Sequence, residues 1–139
     1  MTHFIIDASV AAKWFLKEDY TAEAKKVLEV GENFSAPDFM QLEMDNLLCK
    51  RFRRGDLSKK DADDARVLLK EIPITYHPSL ELRDRAYQLA LITRQSVSDC
   101  LYLALAIRLK GKLVTADQRF YKNQSRGPLS DYLEWVGNI

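Results

Sequence analysis

Short apolar runs alternate along this chain with longer segments in which apolar residues recur at helical spacing. The apolar runs lie at residues 4–6, 34–36, 72–76, 113–115 and 131–136. The longer segments lie at residues 8–16, 21–30, 39–52, 59–70, 79–93 and from residue 96 onward. Strands that alternate with such helices need crossover connections, which build a parallel sheet with helices on both faces. The predicted fold class is therefore α/β.

Residues suited to the ends of helices and strands stand between these segments. Thr21 and Asp38 are predicted to cap the helices that follow them, and Ser58 with Asp61 resembles a capping box. Pro73 lies inside the third apolar run, so this run forms a strand only if the proline is near its start or at a sheet edge. No repeat interrupts the series, and a length of 139 residues leaves room for a single domain, residues 1–139.

The composition is that of a globular protein with a sizeable core. Of the 139 residues, 47% are hydrophobic and 29% are charged. The longest apolar run, residues 101–107, is far shorter than the roughly 20 residues of a membrane span. The first residues, MTHFIID, lack the basic start and apolar centre of a signal peptide. We therefore expect a cytoplasmic protein with no membrane partner.

Cysteine and histidine are too few and too scattered to build a site. Cys49 and Cys100 are the only cysteines, and His3 and His77 are the only histidines. Neither pair has the spacing of a zinc site or a disulfide framework, so we expect free, buried or partly buried thiols. Any catalysis is expected to come from carboxylates.

The formal net charge is +1, so the overall charge indicates no nucleic-acid partner. One segment departs from this balance: KRFRRGDLSKK, residues 50–60, holds six basic residues and the single acid Asp56. One interpretation is a solvated helix end whose cations favour the helix dipole. The other is an edge that binds the phosphates of a nucleic acid.

Glu43 is a carboxylate on an apolar stripe. Phe39, Met40 and Leu47 surround it at helical spacing, which predicts that Glu43 faces the core. A carboxylate there is costly unless it is paired or bound to metal, and the alternative is a salt bridge with Lys50 or an arginine.

Three more acids stand where strands end or helices begin. Asp7 follows the first apolar run, Asp117 follows the fourth, and Asp99 lies in the first turn of the helix after Ser96. Taken singly, each acid is explained as a helix cap. The carboxyl ends of parallel strands share one edge, however, where ligands bind in such folds.

Together with Glu43, these acids predict a cluster of about four carboxylates. Two like charges about 4 Å apart repel by about 4 kcal/mol at an effective dielectric of about 20, so protons or cations must compensate the cluster. Oxygen ligands without His or Cys favour Mg²⁺ or Mn²⁺. Such ions activate water for displacement at phosphorus, which makes phosphodiester cleavage the expected chemistry.

Three segments, in this order, resemble one protein family. FIIDAS at residues 4–9, QLEMDN at residues 41–46 and SVSDCLYLALAIRLKGKLVTADQRF at residues 96–120 resemble the PIN-domain ribonucleases, especially VapC-type toxins of toxin–antitoxin pairs. The resemblance covers nearly the whole chain, and its most specific part leads from Asp99 through Tyr102 to the T-A-D sequence ending at Asp117.

The resemblance implies a three-layer α/β/α domain with a short central parallel sheet, and it implies roles for particular residues. The family's acidic quartet, which binds Mg²⁺ or Mn²⁺ and activates water, matches Asp7, Glu43, Asp99 and Asp117. The supporting polar positions match Ser9, Asn46 and Thr115. The acid that related domains sometimes carry after T-A-D is absent, and Arg119 and Lys122 stand there either to hold a phosphate or to solvate the helix.

The same resemblance implies endoribonuclease action on structured RNA, homodimers and a tightly bound antitoxin protein. Trp14 and Phe15 are candidates for the dimer surface, with core burial as the alternative. Two other functions remain open at this point. The first is a haloacid-dehalogenase-type phosphatase, which also opens with a strand ending in Asp but needs an acid where Ser9 stands. The second is a catalytically silent module that binds RNA or protein, with the acids serving as caps and salt bridges.

Overall fold

The computed structural model describes residues 2–139, and a five-stranded parallel sheet forms its centre. The strands are β1 (His3–Ile6), β2 (Asn33–Pro37), β3 (Ile74–His77), β4 (Lys112–Thr115) and β5 (Leu133–Trp135). Their order across the sheet is β3-β2-β1-β4-β5. Each predicted strand is present. Pro73 immediately precedes β3, which is an edge strand, so the missing N–H of the proline removes no hydrogen bond from the sheet.

Seven α-helices connect and cover these strands within the described residues. They are α1 (Ala8–Lys13), α2 (Thr21–Val30), α3 (Phe39–Arg53), α4 (Lys59–Glu71), α5 (Ser79–Thr93), α6 (Val97–Leu109) and α7 (Gln118–Gln124). Because parallel crossovers are right-handed, the reversal of strand order after β3 places α1–α4 on one face and α5 and α6 on the other. The predicted three-layer α/β/α fold is confirmed.

The central helix α6 is buried between the sheet and α5. It contacts β1, β2 and β4 on one side and α5 on the other. Consequently every residue from Cys100 to Ala106 is buried, which is a wider apolar surface than a single stripe. Ile107 is only partly buried because it lies near the end of the helix.

Helix α1 is shorter than predicted and turns Trp14 into the core. The chain leaves α1 after Lys13, and the N–H of Trp14 bonds to the Ala11 carbonyl at 3.1 Å, which tightens the last turn. Trp14 is 6% exposed, and its indole N–H donates to the Ala24 carbonyl at 2.8 Å. The prediction of Trp14 as a dimer contact is therefore wrong, whereas Phe15 stays partly exposed.

Two predicted helix caps are wrong, and a third is confirmed. Tyr20 precedes α2 with a left-handed φ of 65°, and the Thr21 hydroxyl instead accepts from Glu18 N–H and donates to the Leu16 carbonyl. Asp38 makes no side-chain bond to its own helix α3. Ser58 does cap α4, because its hydroxyl oxygen accepts the Asp61 N–H at 3.0 Å.

Two composition-based predictions concern the chain as a whole. No helix among residues 2–139 is both long and apolar enough to cross a membrane. Both cysteines are free thiols; Cys100 is buried, whereas Cys49 is exposed and so departs from the expected burial.

Candidate active site

Four carboxylates from separate elements line one cavity at the carboxyl edge of the sheet. Asp7 follows β1, Asp117 follows β4, Glu43 projects from α3 and Asp99 lies in the first turn of α6. Strands β1 and β4 are neighbours, so their following acids come together. The cavity has a volume of about 210 Å³. Its lining consists of Asp7, Ala8, Ser9, Glu43, Gln95, Asp99, Tyr102, Leu113, Thr115, Asp117 and Phe120.

Asp7 is held by its own helix. Its Oδ1 accepts the Val10 N–H at 2.9 Å, which caps α1, and the Ser9 hydroxyl at 2.8 Å. Burial raises the pKa of Asp7 despite these two bonds, and the negative charges of Asp99 and Asp117 raise it further. The cap and the cluster are thus compatible roles of one side chain.

Glu43 is held by a tyrosine from the opposite layer. The Tyr102 hydroxyl donates a hydrogen bond to Glu43 Oε1. Burial raises the pKa of Glu43, the Tyr102 bond opposes this, and the charges of Asp99 and Asp7 add to the rise. Across the part of the chain that the structure describes, Glu43 forms no ion pair, so the alternative of a salt bridge with Lys50 or an arginine is wrong.

Asp117 and Asp99 differ in how they are held. Asp117 caps α7, because its Oδ1 accepts the Phe120 N–H at 3.0 Å, and its own N–H donates to the Thr115 hydroxyl at 3.1 Å. The cap of α6 is Ser96, whose hydroxyl accepts the Asp99 N–H at 3.0 Å. Within residues 2–139 the carboxylate of Asp99 has no hydrogen-bond partner, so it is free to bind a ligand.

The charge of this cavity is uncompensated by the protein. None of the lining residues is Lys, Arg or His. Among the described residues no three His, Cys, Asp or Glu side chains already surround a single metal position. An all-oxygen donor set of like charges fits a hard divalent cation such as Mg²⁺ or Mn²⁺.

The predicted supporting residues divide into two groups. Ser9 and Thr115 line the cavity and hold Asp7 and Asp117, respectively. Asn46 and Arg119 are exposed and lie outside the lining. Sequence reasoning missed Gln95, for which no pattern gave a signal.

Sequence reasoning also missed the hydrogen bond from Tyr102 to Glu43. The position of Tyr102 one turn after Asp99 was a signal that could have been used. Burial and the Glu43 bond raise the pKa of Tyr102, so its hydroxyl keeps its proton.

The basic segment 50–60 is partly neutralised. Arg51 bonds to Glu18 at 2.8 Å and to Asp56 at 3.0 Å. Lys59 and Lys60 pair with acids one turn later on α4, at 2.7 Å and 2.9 Å. By contrast, no ion pair involves Arg119 or Lys122 anywhere in the described range.

A larger cavity of about 710 Å³ lies elsewhere, between α3, α4 and β3. Its charged lining includes Asp45 and Arg66, which neutralise each other through a 2.7 Å ion pair. The chemistry of the acids, and not cavity size, therefore identifies the candidate active site.

A parallel sheet with helices on both faces and a cluster of acids at its carboxyl edge defines the chain as an α/β protein with an acidic site, and comparisons with known proteins specify the family. A family model described as the PIN domain matches residues 4–125. The chain belongs to the PIN domain family, and the predicted resemblance is confirmed. Nucleases of this family generally depend on divalent metal ions.

Among curated relatives, Ribonuclease VapC3 of Pyrobaculum aerophilum is 30% identical over 120 residues, which cover 83% of this chain and 89% of the relative. Two solved structures share the fold at 14% sequence identity. The sarcin-ricin loop cleaving toxin VapC20 of Mycobacterium tuberculosis has a TM-score of 0.69 over 87% of this chain and 95% of that one. A toxin–antitoxin complex from Klebsiella pneumoniae has a TM-score of 0.67 over 97% of this chain and 98% of that one.

Proposed function

We propose that this chain is a divalent-metal-dependent endoribonuclease, the toxin of a toxin–antitoxin pair, that hydrolyses phosphodiester bonds in structured RNA. The observation that carries this proposal is the convergence of four carboxylates on one cavity without any protein cation. Membership of the PIN domain family and the ribonuclease name of the curated relative support it.

Each acid has a proposed role. Asp7, Asp99 and Asp117 hold Mg²⁺ or Mn²⁺, and Glu43 is a further ligand or the base that accepts a proton from the attacking water. When bound, the ion would supply an activated water and stabilise negative charge at phosphorus. Ser9 donates to Asp7 and orients it.

Thr115 holds the backbone of Asp117 through the Asp117 N–H. The two hydroxyls would thus fix the first and last acids before an ion arrives.

The proposed path of the RNA backbone passes α7. Arg119 and Lys122 are exposed cations within five residues of Asp117, and neither is engaged in an ion pair inside the described range. When a phosphate binds to such an unpaired cation, only small counterions are released, and no ion pair within the protein has to break. Asn46 lies outside the cavity, one turn after Glu43, and remains a proposed RNA contact at the rim.

The proposed partners are an antitoxin protein and a second copy of the chain. The Klebsiella pneumoniae neighbour is described as a toxin–antitoxin complex, which supports the antitoxin. Phe15, which stays partly exposed, is retained for the homodimer surface. The proposed location is the cytoplasm, where structured RNA and an antitoxin partner would both be available.

No observation favours the phosphatase alternative, because Ser9 occupies the position of its second acid and donates to Asp7.

Purified protein incubated with ribosomal RNA tests the proposal. We expect cleavage with Mg²⁺ or Mn²⁺, no cleavage in EDTA, and loss of cleavage in Asp7→Asn and Asp99→Asn. Asp84→Asn is the matched control, because Asp84 is an exposed acid on α5 outside the cavity. Cleavage that survives both EDTA and the two active-site substitutions would reject the proposed nuclease site.

A further inference from the structure

Tyr102 connects two layers of the fold at the acidic cavity. It lies on α6 and is 3% exposed, and its hydroxyl reaches Glu43 on α3, 59 residues away in sequence. Tyr102 is the donor in this bond, so its hydroxyl hydrogen points to Glu43.

Glu43 needs such a donor more than Asp7 and Asp117 do. Asp7 and Asp117 have short side chains that cap their own helices. Glu43 has a longer side chain with more rotatable bonds, and the negative charges of Asp99 and Asp7 repel its carboxylate. Within residues 2–139, the Tyr102 hydroxyl is the donor that holds this carboxylate.

The bond also distinguishes the two oxygens of Glu43. Oε1 accepts the Tyr102 hydroxyl, while no protein donor in the described chain reaches Oε2. A carboxylate with one oxygen engaged presents the other in a fixed direction. In metal sites, partners of this kind orient the ligands and tune their affinity.

We propose that Tyr102 is a positioning residue that presents the free oxygen of Glu43 to the divalent cation. This inference rests on the proposed function, because it assigns Glu43 to the same metal site. It predicts that Tyr102 contributes to metal affinity through Glu43 and not through the stability of the core.

The test is Mn²⁺ binding to protein without RNA, measured by titration calorimetry on wild type and Tyr102→Phe. We expect the Kd for Mn²⁺ to rise about 10- to 100-fold, the usual effect of removing such a partner. RNA cleavage by the variant should recover at high Mn²⁺ concentration. Tyr76→Phe is the matched control, because it removes a half-buried hydroxyl from β3 in the larger cavity and should leave the Kd unchanged.

A double-mutant cycle separates positioning from general loosening. In the Glu43→Gln background, Tyr102→Phe should change the Mn²⁺ Kd by less than about twofold, since two residues that act as one unit are not additive. An undiminished effect of Tyr102→Phe in that background would overturn the inference.

A wild-type Kd in Tyr102→Phe, with Asp99→Asn abolishing binding, would overturn the inference while leaving the metal site intact. If wild type itself neither binds Mn²⁺ nor cleaves RNA, the proposed function fails as well, so the two failures are distinguishable. Tyr102→Met covers the case in which Tyr102→Phe does not fold: its flexible apolar side chain fills the buried position without a hydroxyl, and the Kd should rise to a similar extent.

Discussion

Asp38 and Ser79 cap each other's helices. Asp38 Oδ1 accepts the Ser79 N–H at 3.1 Å, and Ser79 Oγ accepts the Phe39 N–H at 3.0 Å. The residues lie at the ends of β2 and β3, which are neighbours in the sheet. This reciprocal pair ties the start of α3, which carries Glu43, to the start of α5. The position of one acid of the candidate active site therefore depends on a contact between the two outer layers.

Replacing Ser79 with alanine should remove one of these caps and weaken the other. We expect the free energy of unfolding to fall by about 0.5 to 2 kcal/mol, the range for loss of a helix cap. Urea denaturation measures this effect. The double substitution Asp38→Ala with Ser79→Ala should lower the free energy of unfolding by less than the sum of the two single substitutions. The reason is that the two bonds join the same two helix starts, so losing one already weakens the other. Strict additivity of the two substitutions would show that the caps act independently.

The sequence predicted the sheet and helices well because they depend on local periodicity. The ranges 21–30 and 79–93 match α2 and α5 to the residue. The errors at Asp38 and Trp14 have another origin, since both depend on partners far along the chain or across a turn. Ser79 lies 41 residues after Asp38, and no spacing rule connects them.

In the candidate site too, the features that follow from local pattern and topology were predicted, whereas those that depend on distant partners were not. The acids after β1 and β4 could be placed together from topology alone, and the apolar neighbours of Glu43 gave its inward direction. The donor that holds Glu43 could not be predicted, because the Tyr102 hydroxyl reaches it across the edge of the sheet. The ion pair between Arg51 and Glu18 could not be predicted either, because Glu18 lies 33 residues before Arg51.

Gly111 is required by close packing and not by its backbone angles. A β-carbon built there would overlap the His3 carbonyl oxygen and come within 2.7 Å of the Ile5 side chain. Gly111→Ala should therefore push β4 away from β1 and lower the free energy of unfolding by about 1 to 3 kcal/mol. Gly127→Ala is the matched control, because its nearest contact would be an ordinary 3.8 Å. Chemical denaturation that gives equal losses for the two variants would contradict this explanation.

The unpaired cations of α7 should bind RNA more than the paired cations of α4. In an Asp99→Asn background that leaves the RNA uncut, Arg119→Gln with Lys122→Gln should weaken RNA binding. The slope of log affinity against log salt should fall by about 0.7 for each lost phosphate contact. Fluorescence anisotropy with labelled RNA measures both quantities.

The matched control for this experiment removes the same charge from a paired site. Lys59→Gln with Lys60→Gln deletes two cations that already bond to Asp63 and Asp64. We expect a smaller change in affinity and in salt slope, because these ion pairs must break before a phosphate binds. A larger effect from the α4 pair would instead place the RNA along the 50–60 segment.

The partly buried acids Asp7 and Glu43 should make the metal-free protein less stable as pH rises. The pKa values of Asp7 and Glu43 are raised above their ordinary 3.8 and 4.5, mainly by burial, so the folded state binds these protons more tightly than the unfolded chain. Their stabilising contribution is complete below those ordinary values and is lost as pH rises through the folded pKa values. In EDTA, thermal melts from about pH 4 to about pH 8 should show a smaller loss for Asp7→Asn than for wild type.

Added Mn²⁺ should reverse this trend in wild type, because metal binds the deprotonated carboxylates and stabilises the folded state. The rise in melting temperature caused by Mn²⁺ should therefore grow with pH, and Asp7→Asn should reduce it strongly. Asp84→Asn, which removes an exposed acid on α5, should keep the wild-type profile with and without the ion. Parallel pH profiles of Asp7→Asn and wild type in EDTA would mean that the Asp7 carboxylate carries no burial cost.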